Sequence, residues 1–229
     1  MPALALYWFR LDVDARPDER EWLSPQERDR AARFILPQHT RRFEAAHIQL
    51  RRLLGRELGQ PPETLAFAFG ANGKPELPRS SGLHFNLSHS GDIGLVGISH
   101  ERELGVDVEA ERRQLDGLGL ANRFFTPRET AWLAALSPAA RVRGFCRLWT
   151  CKEAWMKSSG QGMALPLDRA EVTLAANTPA RLEVAGKELY VRELDLLPGY
   201  CAAVVMAEAP ASLTLEPAAS ALAPAPPAP

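Results

Sequence analysis

Between Leu104 and Glu109 the chain alternates strictly, with Leu104, Val106 and Val108 in one phase and Gly105, Asp107 and Glu109 in the other. A period of two marks a half-buried strand, so the valines enter a core and both carboxylates leave the opposite face. Same-face neighbours on a strand stand about 6.6 Å apart along the backbone, close enough for two flexible carboxylates to share one cation. A second pattern lies farther on, where Phe145, Leu148, Cys151 and Trp155 recur at helical spacing as an apolar stripe. Glu153 and Lys157 are four residues apart on a neighbouring face of that helix, which therefore carries a third carboxylate together with an ammonium.

Three carboxylates without a cysteine or histidine cluster favour a hard, oxygen-seeking ion. Magnesium suits this donor set and usually completes its octahedron with water and substrate phosphates. Asp107, Glu109 and Glu153 are accordingly the expected metal ligands, and a phosphorylated molecule the expected substrate. A plainer reading stands beside this one: a surface strand with two solvated acids, and an intrahelical Glu–Lys pair worth roughly a few tenths of a kcal/mol.

Composition restricts the class without naming the chemistry. At 229 residues, 46% hydrophobic and 24% charged, the chain buries one large core or two small ones. A formal net charge of -1 gives no global case for nucleic acid or an anionic membrane as partner. Cys146, Cys151 and Cys201 form no CxxC pair and cannot all be bridged within one chain, so reduced thiols in the cytoplasm are expected. The apolar stretch from Met1 to Leu11 lacks a basic segment before it and is interrupted by Arg10, so it reads as a first strand rather than a span. Residues 28–56 hide a local excess: eight arginines against Asp29 and Glu44, a formal +6.

The remaining punctuation places the elements. Ser24, Pro25 and Glu27 form a helix start, a second helix begins near Thr40, and Gly59 closes the helical stretch. Residues 65–69 read as a strand before the turn 70–75, and 83–87 pairs with 93–99 as a hairpin. Ser88 to Asp92 then form its tip, where hydroxyls and backbone N–H groups meet an anion. Thr126, Pro127 and Glu129 open another helix, and Gly160 stops the one that carries Glu153, with a loop to Met163. Four strands follow at 170–174, 181–184, 188–194 and 199–206. From residue 208 to 229 the chain is rich in Ala and Pro and is expected to be a disordered tail.

Phe85-Asn86-Leu87-Ser88-His89-Ser90-Gly91, then Gly105 to Glu109, then Trp149 to Lys157 occur in one order at characteristic separations. As a set they resemble the 4'-phosphopantetheinyl transferases, in the longer type that serves polyketide, nonribosomal peptide and some fatty-acid carrier proteins, over about Trp22 to Met206. The resemblance implies an α/β (α+β) fold of two similar subdomains about a pseudo-twofold axis, 1–100 with the coenzyme A contacts and 101–207 with the magnesium site. Arg30 and Arg42 are implied for the 3'-phosphate and adenosine end of coenzyme A, with Arg28 and Arg33 in reserve, since guanidinium forks match phosphate. Lys74, in Gly73-Lys74-Pro75, is implied near the nucleotide, and Ser88 and His89 on the phosphates.

The implied reaction is magnesium-dependent transfer of 4'-phosphopantetheine from coenzyme A to a serine of an apo acyl or peptidyl carrier protein, with 3',5'-ADP leaving. Glu153 is the implied candidate to take the serine proton, directly or through a water, and Lys157 to stabilise charge on the bridging oxygens or to donate a proton to the leaving group. A monomer suffices, with neither nucleic acid nor membrane as partner. The departure from the family's pattern is Glu27, where a basic residue is expected. Two further functions stay open: a magnesium-dependent nucleotide pyrophosphate hydrolase, which needs no carrier, and a non-catalytic module that holds carrier proteins or coenzyme A.

Overall fold

The computed structural model describes residues 3–70, 74–162, 165–175 and 178–218. Gly73 and Met163, expected in loops, lie outside these residues, as does 219–229 of the expected tail. The first half runs β1 (Leu4–Arg10), α1 (Pro17–Arg20), α2 (Pro25–Ala32), α3 (Pro37–Leu58), the short β2 (Ala68–Phe69) and β3 (Pro75–Glu76), β4 (His84–Ser90) and β5 (Ile93–Ser99). The second runs β6 (Leu104–Ala110), α4 (Gly117–Phe124), α5 (Pro127–Ala135), α6 (Pro138–Ser159), β7 (Ala170–Ala175), β8 (Thr178–Val184), β9 (Lys187–Glu193) and β10 (Tyr200–Met206), and β11 (Leu213–Pro217) follows. The expected mixed α+β class is what these elements form.

Two sheets, ordered β11-β1-β5-β4 and β6-β10-β9-β8-β7, stack face to face. The period of two decides their layering. Leu4 and Leu6 of β1 and Ile93 and Leu95 of β5 meet Val106, Val108, Ala202 and Val204 in a core between the sheets. Tyr7 and Phe9 turn the other way, onto Ala46, Leu50 and Leu54 of the 22-residue α3. On the far side Ala203 and Val205 turn outward onto Leu148, Cys151 and Trp155 of α6, also 22 residues long. The layers are helix, sheet, sheet, helix, and Gly105, Asp107 and Glu109 face α6 because the valines between them face the core. Among the described residues no helix is long and apolar enough to cross a membrane.

Local chemistry sets the boundaries. Ser24 and Thr126 cap α2 and α5 in capping boxes with Glu27 and Glu129, and Gly160 ends α6 in the left-handed region at φ 68°. Glu27 thereby explains its departure from a basic residue. Its Oε2 accepts from Ser24 N at 2.7 Å and, inside the core, from Arg51 Nε and Nη2 at 3.0 and 2.7 Å. Arg51 is thus a structural cation, as is Arg52, which bonds Glu19 and Gln49. The +6 segment is therefore partly internal scaffolding rather than one exposed patch.

α3 starts at Pro37 rather than near Thr40 and β8 at Thr178 rather than 181, and three further departures change what a segment does. The strand expected at 65–69 shrinks to two paired residues, because a 3-10 turn occupies Pro62–Thr64 and Leu65 is drawn into the core. β4 runs on through Ser88, His89 and Ser90, which pair with Leu95, Gly94 and Ile93, so only Gly91 and Asp92 form the tip. The chain from 208 is not a tail throughout: Leu213–Pro217 adds to the first sheet in parallel with β1, its apolar residues packing beside Leu4 and Leu6.

Lys152 holds the second half together from within. Its fully buried ammonium meets Glu129 Oε2 at 2.8 Å, Leu167 O at 2.8 Å and Ala170 O at 2.5 Å, using all three of its donors. Glu129 in turn accepts from Thr126 N and Val172 N, which ties α5, α6 and β7. Removing one partner of such a pair leaves a buried uncompensated charge. Lys152→Met is expected to lower unfolding stability by about 3–5 kcal/mol in a urea titration, where a surface pair would give under about 1.

Candidate active site at the seam of the two sheets

β6 is an edge strand by main-chain pairing, and its open edge lies against β4. Backbone N–H groups at such an edge need partners. Side chains of β4 provide them at steps of two: Asn86 Oδ1 accepts from Val106 N at 2.9 Å, Ser88 Oγ from Val108 N at 3.4 Å and Ser90 Oγ from Ala110 N at 3.1 Å. The two hydroxyls then donate onward, Ser88 to Asp107 Oδ1 at 2.8 Å and Ser90 to Glu109 Oε2 at 2.7 Å. Each serine therefore fixes both the strand edge and a carboxylate.

α6 closes on the same strand. A Cβ at Gly105 would stand 2.0 Å from Ala154 O and 2.4 Å from Ser158 N, so only glycine lets the helix backbone approach this far. Two residues on, Asp107 Oδ1 meets Lys157 Nζ at 2.6 Å, and the same ammonium reaches Ser88 Oγ at 2.8 Å. Ser88 now uses its one proton and both lone pairs. Its hydroxyl, expected on a ligand, faces inward and is 5% exposed, so it serves the seam. Asp107 Oδ2 is the buried side-chain oxygen with no hydrogen-bond partner among the described residues.

Burial raises all three acids, and the charge of Asp107 adds to the effect on Glu109 and Glu153. Burial pushes Asp107 above the usual carboxylate range against the pull of Lys157 and Ser88, and pushes Glu109 up with help from the Asp107 charge. Glu153, half-buried one helical turn before Lys157, is pushed up to about 7 by burial and by the charges of Asp107 and Glu109.

A cationic wall stands opposite, carried by the first sheet and its helices. His89 points to the other face of β4 from Ser88 and Ser90. Burial lowers its pKa, and Lys157, Arg30 and Arg42 lower it further, although its ring still meets solvent. Arg42 of α3 is held by Asp92, with Nε and Nη2 at 2.9 and 2.6 Å from Oδ1, and Tyr200 Oη in turn accepts from Asp92 N. Arg30 lies over the Phe43 ring at 5.5 Å and lines a cleft of about 540 Å3 with Arg33, Phe34, His47 and Phe69. His47, stacked on Phe43, is driven down to about 4, chiefly by burial. Lys74 stands apart from this set, 2.9 Å from Glu103 Oε2 and 3.4 Å from the Lys157 carbonyl. To engage a phosphate it has to exchange Glu103.

The expected ligands Asp107, Glu109 and Glu153 thus reach one place, though not as a closed cage. Among the described residues no three His, Cys, Asp or Glu side chains are drawn tightly enough together to grip an ion as they stand. Ser88 and Lys157 instead engage Asp107 Oδ1, and Ser90 engages Glu109 Oε2. The donor set nevertheless fits a hard divalent cation: all oxygen, mutually repelling, with one buried oxygen left over. Reading the sequence missed Asn86, Ser90, Asp92 and the need for Gly105. The signal was present as a second polar alternation, Asn86-Leu87-Ser88-His89-Ser90, in phase with Gly105-Val106-Asp107-Val108-Glu109.

A family model described as the 4'-phosphopantetheinyl transferase superfamily matches residues 103–205. The 4'-phosphopantetheinyl transferase HetI of Nostoc sp. is 42% identical over 166 residues, 71% of this chain and 70% of that protein. A putative 4'-phosphopantetheinyl transferase of Synechocystis sp. is 40% identical over 150 residues, 65% of this chain and 61% of that protein. The 4'-phosphopantetheinyl transferase Sfp of Bacillus subtilis is 27% identical over 210 residues, covering 89% and 92% of the two chains.

The closest approach in the site is the most sensitive to test. Gly105→Ala forces the α6 backbone away from β6 and is expected to cost at least about 1–3 kcal/mol in urea unfolding. The same substitution is expected to part Lys157 from Asp107; unchanged stability would mean that the helix does not press on this strand.

Proposed function

Because the chain belongs to the 4'-phosphopantetheinyl transferase superfamily, we propose that it transfers the 4'-phosphopantetheine group of coenzyme A to a serine of an apo carrier protein. The observation that carries this reading is the seam, where an acidic wall of Asp107, Glu109 and Glu153 faces the cations Arg42 and Arg30 and the neutral imidazole of His89, with Lys157 between them. A pyrophosphate with a divalent counter-ion has the charge pattern that such a pair of walls complements. Both walls come from one chain, so a monomer is sufficient.

Asp107, Glu109 and Glu153 would hold Mg2+, the unpartnered Asp107 Oδ2 being the oxygen best prepared for it. The chemistry the ion supplies when bound is neutralisation of charge on the pyrophosphate oxygens. Arg30 and Arg42 take the 3'-phosphate and adenosine end, where Phe34 and Phe69 offer apolar surface to a base. His89 adds a hydrogen bond to the phosphates, and Lys74 guards the far rim.

The carrier's serine oxygen attacks the phosphorus that bears the pantetheine arm. A new P–O bond forms, the bridging P–O bond breaks, and 3',5'-ADP leaves with that electron pair. Glu153 is the carboxylate placed to accept the serine proton. Lys157, one turn on, hydrogen-bonds the oxygen on which charge collects. Ser88 keeps Lys157 and Asp107 in register.

Intact-protein mass spectrometry of apo carrier proteins, incubated with this protein, coenzyme A and Mg2+, tests the reading. The expected result is a mass increase of one phosphopantetheinyl group, abolished by a chelator and slowed about a hundredfold or more by Glu153→Gln. 3',5'-ADP released at the same rate without a carrier would point to a hydrolase. Coenzyme A binding with no modification of any carrier would point to a binding module.

A further inference from the structure

The carboxylates of the seam are not held equally. Asp107 Oδ1 is held twice, by Ser88 and by the Lys157 ammonium. Glu109 carries one more methylene and is part-exposed, and a single close hydrogen bond, 2.7 Å from Ser90 Oγ, fixes it. Arg112 Nη2, on a largely exposed side chain, stands 4.0 Å from the same Oε2, a longer contact than the Ser90 hydrogen bond.

Ser90 is built into this place rather than resting near it. It is 5% exposed, its backbone pairs with Ile93 in the ladder, and its hydroxyl accepts from Ala110 N at 3.1 Å. That contact with the amide next to Glu109 orients the hydroxyl, so its single proton is directed at Oε2. One side chain thus couples the main chain of β6 to the carboxylate it carries. Groups in this position, one shell out from an ion, typically govern affinity by 10–100-fold, since they prepay the ordering of a ligand.

We propose that Ser90 is a positioning residue for the divalent cation, acting through Glu109 by fixing its carboxylate in the cleft. The inference rests on the magnesium reading of the site given above. Ser90 touches no substrate in it. Its contribution belongs to metal affinity, and coenzyme A binding without metal is indifferent to it.

Calorimetric titration of Mg2+ into the full chain saturated with coenzyme A, without any carrier and hence without turnover, tests this in the wild type and in Ser90→Ala, Ser90→Cys and Ser90→Thr. Cysteine keeps the volume and weakens the donor; threonine keeps the hydroxyl. Ser90→Ala and Ser90→Cys are expected to raise the Mg2+ Kd about tenfold, with Ser90→Thr within about threefold of the wild type and the metal-free coenzyme A Kd unchanged in all. If Ser90→Ala fails to fold, the Cys and Thr variants decide by the same comparison. Wild-type Mg2+ affinity in Ser90→Ala or Ser90→Cys, or a loss in Ser90→Thr as large as in Ser90→Ala, overturns the proposal. A wild-type chain that binds coenzyme A and no Mg2+ overturns the magnesium reading itself, and this proposal with it.

Discussion

The amides along the open edge of β6 must find acceptors, and in this chain they find them in Asn86, Ser88 and Ser90 of β4 rather than in another strand. Had β4 supplied its own carbonyls, the two sheets would merge into one and no cleft would separate them. Side-chain acceptors stand the strands farther apart, and hydroxyls also carry a proton to give. That proton goes to Asp107 and Glu109. The join between the two sheets is consequently also the support of the acidic wall.

Charge satisfaction separates frame from site. Lys152 has three acceptors for three donors, and Glu129 is met at both oxygens. Arg51 and Glu27 are likewise enclosed by partners. Those pairs are complete and join elements. Lys157 and Asp107 make an equally short contact, yet Asp107 keeps an unpartnered buried oxygen and Glu153 beside them is pushed up to about 7 by burial and neighbouring acids. An incomplete cluster is costly to maintain by itself and is understandable where a further cation completes it.

Much of this was legible in the sequence, for reasons of period. The alternation at 104–109 and the helical stripe at 145–155 fixed the face on which Asp107, Glu109, Glu153 and Lys157 lie, because one side of each element had to be core. The caps at Ser24, Thr126 and Gly160 were equally local and equally visible. What stayed hidden depends on partners far along the chain. Ser88 and Ser90 look like turn residues until β6 is set beside them, and Glu27 looks misplaced until Arg51 arrives from α3. Leu213–Pro217 reads as tail because its Ala- and Pro-rich surroundings mask a strand that only β1 makes worth forming.

The seam holds the cation and the phosphates together in the proposed reaction. The most direct test of this is diffraction from crystals grown with coenzyme A and Mn2+, a close substitute for magnesium in oxygen-ligand sites, with data collected at the manganese edge. One anomalous peak within coordination distance of Asp107, Glu109 and Glu153, adjoining the pyrophosphate, is the predicted result. A peak elsewhere, or coenzyme A bound with Lys157 and Asp107 still paired and no metal at the seam, would contradict it.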